Sequence, residues 1–248
     1  MAKTTRRRNT SDDPATAYAK AVVSGKIIAG PHVRATCQRH LNDLETCADR
    51  GLAWDPAALK RGLGFFPDVL RLSEGQFEGR PFDLHPSQAF IVGSIFGWKR
   101  ADGTRRFRRC YIEQGKGNGK SPLAGGIGLY GMMADGEAGA QVFAAAAKMD
   151  QARILFDDAV KMVRQSPMLE ERITPSGVNP VYNLADLKTG SFFRPVGRDT
   201  HATQTITNTP PPMRPLRYAS SVEFYWLIKN RHRWNIIRHY TVTEIFES

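Results

Sequence analysis

Aspartate disappears from this chain of 248 residues after Asp199, and glycine after Gly197. Beyond that point the acids are Glu223, Glu244 and Glu247 alone, too few and too scattered for a site built on paired carboxylates. Cysteine is sparse: Cys37, Cys47 and Cys110 make no disulfide framework. Cys37, His40 and Cys47 lack a second ligand pair at zinc-finger spacing and read as structural. No apolar run approaches the roughly 18 residues that would span a bilayer. Arg6, Arg7 and Arg8 have no apolar segment behind them, so the N-terminus is not a secretory signal; residues 1–12 are expected to be a basic, disordered arm. These absences predict a cytosolic, non-membrane protein. Acids are also outnumbered, 24 against 35 Lys and Arg, giving a formal charge of +11 and a sequence pI near 9.8. That balance favours a polyanionic partner, nucleic acid first and an acidic membrane surface second.

What is present centres on Glu113-Gln114-Gly115-Lys116-Gly117-Asn118-Gly119-Lys120-Ser121. Cys110-Tyr111-Ile112 leads into it, and Pro122 to Tyr130 continues in small and apolar residues. Strand, glycine-rich turn and helix in that order form the setting of a phosphate-binding loop. Backbone N–H groups of the turn and the helix N-terminus would surround phosphate oxygens. Lys120 would reach the outer phosphates and the Ser121 hydroxyl would sit on Mg²⁺, so a nucleoside triphosphate is the expected ligand. The consensus glycine six residues before the lysine is Gln114 here, and Gly115, Gly117 and Gly119 supply the backbone freedom instead. The competing reading is a glycine-rich surface turn beside a basic patch.

Asp13 followed by Pro14 predicts a helix start, running to about Ser24. A second helix should follow Pro31, with Val33, Cys37, Leu41, Leu44 and Ala48 on one face. A weaker helix is expected around Leu59, then a connector over 75–86. Ser87 is the expected cap of a helix through Trp98. Arg105, Arg106, Arg108 and Arg109 should face solvent on the approach to the loop. Val142-Phe143-Ala144-Ala145 reads as a buried strand. Asp150 should cap a helix stapled by Met149 and Ile154, with a core stripe of Ala152, Leu155, Phe156, Ala159, Met162 and Val163, stopped by Pro167. Residues 181–184 and 191–196 read as strands around Lys188-Thr189-Gly190. The whole pattern is α/β with a mainly parallel sheet flanked by helices.

Three segments together resemble the large subunit of tailed-phage terminases, in its N-terminal ATPase portion. They are Leu84-His85-Pro86-Ser87-Gln88 with Phe96-Gly97-Trp98, then Lys116 to Ser121, then Ala145 to Arg153 with Met162-Val163-Arg164; Phe193-Arg194-Pro195-Val196 extends the likeness, which covers about residues 15–200. The resemblance implies a RecA-like P-loop sheet that uses ATP and Mg²⁺ to drive viral DNA into procapsids. Gln88 would contact adenine, Lys116 would add charge at the γ-phosphate, and Gly115, Gly117, Asn118, Gly119, Lys120 and Ser121 would form the nucleotide site. Double-stranded viral DNA, a small terminase subunit, a portal protein and further copies of the subunit are the implied partners. The cytoplasm of an infected or lysogenic bacterium is the implied location.

The sequence departs from that family after residue 200. The adjacent acids expected at the end of an apolar strand are missing, and Glu223 is given no catalytic role. The expected organisation is therefore an arm (1–12), an N-terminal helical region (13–75), a partial P-loop ATPase core (76–200) and an atypical tail (201–248), with no nuclease domain. Three readings of the tail stand side by side: residues translated out of frame, an end helix, or a basic aromatic segment that stacks on single-stranded DNA. On the first, the core sheet is left incomplete, with exposed edges and poor solubility, and ATP would be bound but poorly hydrolysed. The alternatives in function are a non-catalytic DNA- or partner-binding module and another P-loop DNA ATPase.

Overall fold

Asp13 begins the first helix as its sequence suggests: its carboxylate accepts from the Ala15 N–H at 2.9 Å and from the Thr16 hydroxyl at 2.7 Å. The protein is described by a computed structural model that covers residues 13–115, 117–197, 221–230 and 233–242, the last two stretches as backbone. The described residues fall into two compact units, Met1–Leu63 with Leu84–Arg106, and Gly64–Asp83 with Phe107–Ser248.

The first unit packs α1 (Pro14–Val23) against α2 (Pro31–Thr46) and α4 (Pro86–Gly97). It also holds the two-stranded sheet of β1 (Leu52–Trp54) and β2 (Trp98–Arg100) and the start of α3 (Pro56–Val69). Ala15, Tyr18, Ala19, Val22, Cys37, Leu59 and Phe90 form its apolar centre. Two expectations change here. The α4 cap is His85, not Ser87: its ring nitrogen faces the Ser87 N–H, while Gln88 Oε1 accepts from the His85 N–H at 3.0 Å. In α2 the buried positions are Cys37, His40 and Asp43, with Leu41 and Leu44 half-buried, while Val33, and Ala48 beyond the end of the helix, are exposed.

Segment 64–83 belongs with the sheet unit, so the units do not divide near residue 75. Phe66 meets Phe82 edge-on at 5.2 Å, Phe65 meets Tyr130 at 5.4 Å, and the Ser73 hydroxyl donates to buried Asp158 at 3.1 Å. The first of these contacts is internal to the segment; the other two fix it onto α5 (Lys120–Met133) and α6 (Met149–Gln165).

The seven-stranded sheet runs β3-β9-β8-β4-β7-β6-β5. In chain order these are β3 (Arg109–Gln114), β4 (Gln141–Ala146), β5 (Ile173–Ser176), β6 (Asn183–Asp186), β7 (Ser191–Gly197), β8 (Ser221–Asn230) and β9 (Arg233–Val242), with α7 (Pro167–Arg172) before β5. β3–β9 and β4–β7 are parallel; the four other pairings are antiparallel. The sheet is mixed, not mainly parallel, because short connections return the chain as hairpins at β5–β6, β6–β7 and β8–β9, and tight turns join antiparallel strands. The tail segment, for which an end helix is one of the readings, is two strands, and its run Phe224-Tyr225-Trp226-Leu227-Ile228 consists of residue types that favour strands. Residues 198–220, 231–232 and 243–248, with the arm at 1–12, lie outside the described residues.

α5 and α6 pack on one face of the sheet, over Phe193, whose ring meets Phe156 at 5.4 Å. The α6 stripe predicted from the sequence is buried throughout. The helix starts two residues earlier than expected: Lys148, not Asp150, is the N-cap, and Asp150 sits in the first turn, where its charge complements the helix dipole; Ile154 is exposed, so no staple forms. Close approach on α5 depends on glycine. A Cβ at Gly126 would stand 2.6 Å from Phe66 Cε1 and 2.8 Å from Leu70 Cδ1. Gly126→Ala should therefore lower stability by about 1–2 kcal/mol in urea unfolding, overpacking outweighing the better helix propensity of alanine. An unchanged midpoint would contradict this packing.

Candidate phosphate-binding site

β3 ends at Gln114 and α5 opens at Lys120, so five residues turn the chain from strand to helix. Gly117 (φ 85°) and Gly119 (φ 66°) take left-handed backbone that side chains disfavour, and Gly119 is the N-cap of α5. Asn118 Nδ2 lies 3.4 Å from where a Gly115 Cβ would stand, so a larger residue at 115 would crowd it. Gly115, Gly117 and Asn118 are exposed at the crest, and Ser121 is half-buried in the first turn of α5. The first N–H groups of that helix have no partner within it and carry the positive end of its dipole.

Lys120 is buried, 8% exposed, and its ammonium donates to the Gln114 carbonyl at 2.9 Å and the Gly115 carbonyl at 2.7 Å. Burial holds its pKa below the ordinary lysine value. The ammonium thus stands inside the turn on two neutral acceptors. An anion seated on the helix N-terminus offers it charged oxygens instead, which form stronger bonds. A buried cation within a glycine turn that runs into a helix N-terminus, with a serine next in sequence, is a donor set that suits phosphate.

Of the other residues singled out from the sequence, Lys116 lies outside the described residues. Gln88 is buried in the first unit, its oxygen engaged at the start of α4, whereas the loop belongs to the second unit. The loop residues Gly115, Gly117, Asn118, Gly119, Lys120 and Ser121 come together by adjacency in sequence. Two arginines do not face solvent as expected: Arg105 is buried with its guanidinium over Phe96 at 5.5 Å, and Arg106 donates to Asp43 Oδ2 at 2.6 Å while covering Trp98 at 5.1 Å. Arg108 and Arg109 are exposed.

No group of three or more His, Cys, Asp or Glu stands ready to hold a metal among the described residues. His40 is engaged otherwise. Trp98 Nε1–H donates to its Nδ1 at 3.1 Å, which leaves the proton on Nε2, 3.1 Å from the Thr16 hydroxyl. Glu223 falls in β8, in the cross-strand row of Tyr240 and Glu113. The sequence reading missed the two carbonyls that seat Lys120; backbone acceptors have no signature in residue identity. No described helix is long and apolar enough to cross a membrane.

The family model described as Terminase large subunit, ATPase domain, matches residues 86–203. The large terminase subunit of Enterobacteria phage HK97 is 30% identical over 121 residues, which are 48% of this chain and 23% of that protein. The crystal structure of the HK97 bacteriophage large terminase aligns with 63% of this chain and 29% of its own, at 23% identity and a TM-score of 0.48. The chain thus spans less than a third of the length of these relatives, and the family match ends at residue 203, close to where the composition changes. The likeness to the ATPase portion of terminase large subunits, carried in the sequence by motifs on either side of the loop, holds.

Proposed function

We propose that the Gly115–Ser121 turn binds ATP with Mg²⁺, and that the chain acts as the P-loop, RecA-like ATPase portion of a DNA-packaging motor. The observation that supports this most is the seating of Lys120: a buried ammonium held inside a glycine turn at a strand-to-helix junction. A solvated surface turn has no reason to bury its lysine, because a charge leaves water only where partners compensate it.

In this reading Lys120 leaves the Gln114 and Gly115 carbonyls and takes the outer phosphates. The N–H groups at the start of α5 hold the phosphate oxygens nearest the helix. Ser121 would hold Mg²⁺, which supplies charge neutralisation between neighbouring phosphates. Lys116 adds charge at the γ-phosphate, and Gln88 contributes the adenine contact. Packaging of double-stranded viral DNA, together with a small subunit, a portal protein and further copies of the chain in the host cytoplasm, is the setting this function requires.

Turnover is proposed to be weak. Hydrolysis needs a carboxylate on the metal side and another that orients water, and no aspartate follows Asp199. The missing acids also fit a tail read out of frame from about residue 201.

The test is nucleotide binding by the whole chain, followed with a fluorescent ATP analogue. Lys120→Ala should weaken binding at least about tenfold, corresponding to a loss of roughly 1.4 kcal/mol or more, while leaving the melting transition in place. An alanine variant that binds as tightly as the parent overturns the loop assignment. Tight binding without phosphate release bears out both the loop and the weak turnover.

A further inference from the structure

The segment over residues 64–83 has two kinds of hold on its own unit. Its base is apolar: Phe66 and Leu70 stand against α5 at Gly126, Phe65 meets Tyr130, and Phe82 closes back on Phe66. Its tip is different. Beyond the Arg71–Pro81 bridge the chain forms a short hairpin, with the Leu72 N–H on the Arg80 carbonyl and the Gly79 N–H on the Leu72 carbonyl, each at 2.9 Å. Every residue from Glu74 to Pro81 is exposed.

Among the described residues, three side-chain bonds join this tip to α6. The Ser73 hydroxyl donates to Asp158 at 3.1 Å, Glu74 accepts from Lys161, and Glu78 Oε1 accepts from Gln165 Nε2 at 3.0 Å. Positions 158, 161 and 165 lie on one face of the helix. The Lys161 and Glu74 side chains are 44% and 64% exposed, so water screens their pair. Asp158 and Ser73 are buried.

A carboxyl in this position has one favourable state. Neutral, it is satisfied by the Ser73 hydroxyl. Ionised, it is a charge out of water with a neutral donor, which is costly until water or a cation reaches it. Lys161 stands three residues further along the helix, paired with Glu74, so an ionised Asp158 competes with Glu74 for the same ammonium. The cover that can yield is the polar tip, because the base is packed against α5.

We propose that residues 72–81 form a proton-sensitive strap, closed on α6 while Asp158 is protonated and lifted when that carboxyl ionises. Burial pushes the Asp158 pKa up to about 6; the Ser73 hydroxyl and Lys161 oppose the rise, and Glu74 and Asp157 add to it. Of the other elements packed on α6, α5 carries Lys120 and Tyr130, engaged with the Gln114 and Gly115 carbonyls and with Phe65. β7 carries Arg194, over Phe192, and α7 carries Glu170, Glu171 and Arg172, the last bonded to Asp186. The closed form holds the proton, so the strap is shut at acid pH and opens as pH rises through about 6. Lifted from α6, a lone hairpin of this size is marginal in water, so its internal bonds fray as well. The strap stands whether or not the Gly115–Ser121 turn takes a nucleotide.

The test is hydrogen–deuterium exchange of the full chain at pH 5.0 and 7.5, read on peptides over 72–81 and over α5, with rates corrected for the intrinsic effect of pH. Protection of 72–81 should fall about tenfold between the two pH values while α5 keeps its own, the pattern of a local opening. Asp158→Asn cannot ionise, and its amide oxygen still accepts from Ser73, so it should keep the strap protected at both. Equal protection of the parent's strap at the two pH values overturns the proposal without any variant. So does an Asp158→Asn variant that folds and opens with pH as the parent does, or loss of protection over α5 in step with the strap.

Discussion

Replacing Asp43 by asparagine is expected to cost the first unit about 3 kcal/mol. Asp43 is 2% exposed and its two carboxylate oxygens are divided between two arginines: Oδ1 accepts from Arg50, and Oδ2 accepts from Arg106 at 2.6 Å. Burial alone would push its pKa up; the bonds from Arg106 and Arg50 outweigh it and hold the carboxyl below the ordinary aspartate value. The two partners are not equivalent. The Arg50 side chain is half exposed, so water screens its share to within about 1 kcal/mol. The Arg106 side chain is 11% exposed and lies over the Trp98 ring. An amide at position 43 would leave that guanidinium out of water with no counter-charge, and breaking a buried pair from one side costs about 3–5 kcal/mol. Urea unfolding at neutral pH measures the loss. Arg50→Ala should shift the midpoint much less than Asp43→Asn. Equal shifts would mean that the pair at Arg106 is as screened as the one at Arg50.

This arrangement also shows where the sequence stops being readable. The helix after Pro31 is legible from its periodicity, and Cys37 and Leu41 of the apolar stripe do turn to the core, yet Val33 and Ala48 do not and two polar residues are buried in the same helix. His40 and Asp43 turn inward because Trp98 and Arg106, 58 and 63 residues away along the chain, supply their hydrogen bonds. A polar residue is buried only with a partner, and nothing local announces one so distant. The arginines at 105 and 106 misled for the same reason: a run of cations suggests solvent until an acid and aromatic faces arrive from elsewhere in the unit.

The loop was readable because its constraints are local. Positive φ at Gly117 and Gly119, the strand before and the helix after are all fixed within a dozen residues. Lys120 was named from its spacing, whereas its seat on two carbonyls required coordinates. Sheet order was the hardest part. Each strand of the β6–β7 hairpin was visible from its pattern, but pairing joins residues far apart, and β5, with Pro175 within it, gives no strand signal. The tail was read through its composition, lacking glycine and aspartate, so the run Phe224-Tyr225-Trp226-Leu227-Ile228, whose residue types favour strands, went unused.

Two buried titrating groups make acid behaviour a sharp test of both units. His40 is 3% exposed, ringed by Trp54, Phe90 and Trp98 at 4.8 to 5.7 Å, and burial pulls its pKa from 6.5 down to about 4 against the opposing charges of Asp13 and Asp43. The unfolded chain therefore takes up more protons than the folded one between these values. His40's contribution is complete above pH 6.5 and is lost as pH falls toward 4, by about 3 kcal/mol at 1.36 kcal/mol per pKa unit. Asp158 acts in the opposite sense. Burial raises its pKa from 3.8 to about 6, with the Ser73 hydroxyl resisting and Glu74 and Asp157 assisting. The folded state then binds more protons, so Asp158 favours folding below pH 3.8 and loses that advantage as pH rises through 6, again by about 3 kcal/mol. If the chain unfolds in one transition, the two effects largely cancel over pH 4–6 and the parent shows a shallow profile. Asp158→Asn removes one side of the balance: it should gain stability at neutral pH and then lose about 3 kcal/mol on acidification from pH 6.5 to 4. His40→Gln, whose amide oxygen can still accept from Trp98, should leave the reverse slope, stability falling as pH rises over the same range. Urea midpoints at closely spaced pH values decide the matter. Parallel profiles for the parent and both variants would show that neither group is buried in the protonation state its surroundings demand.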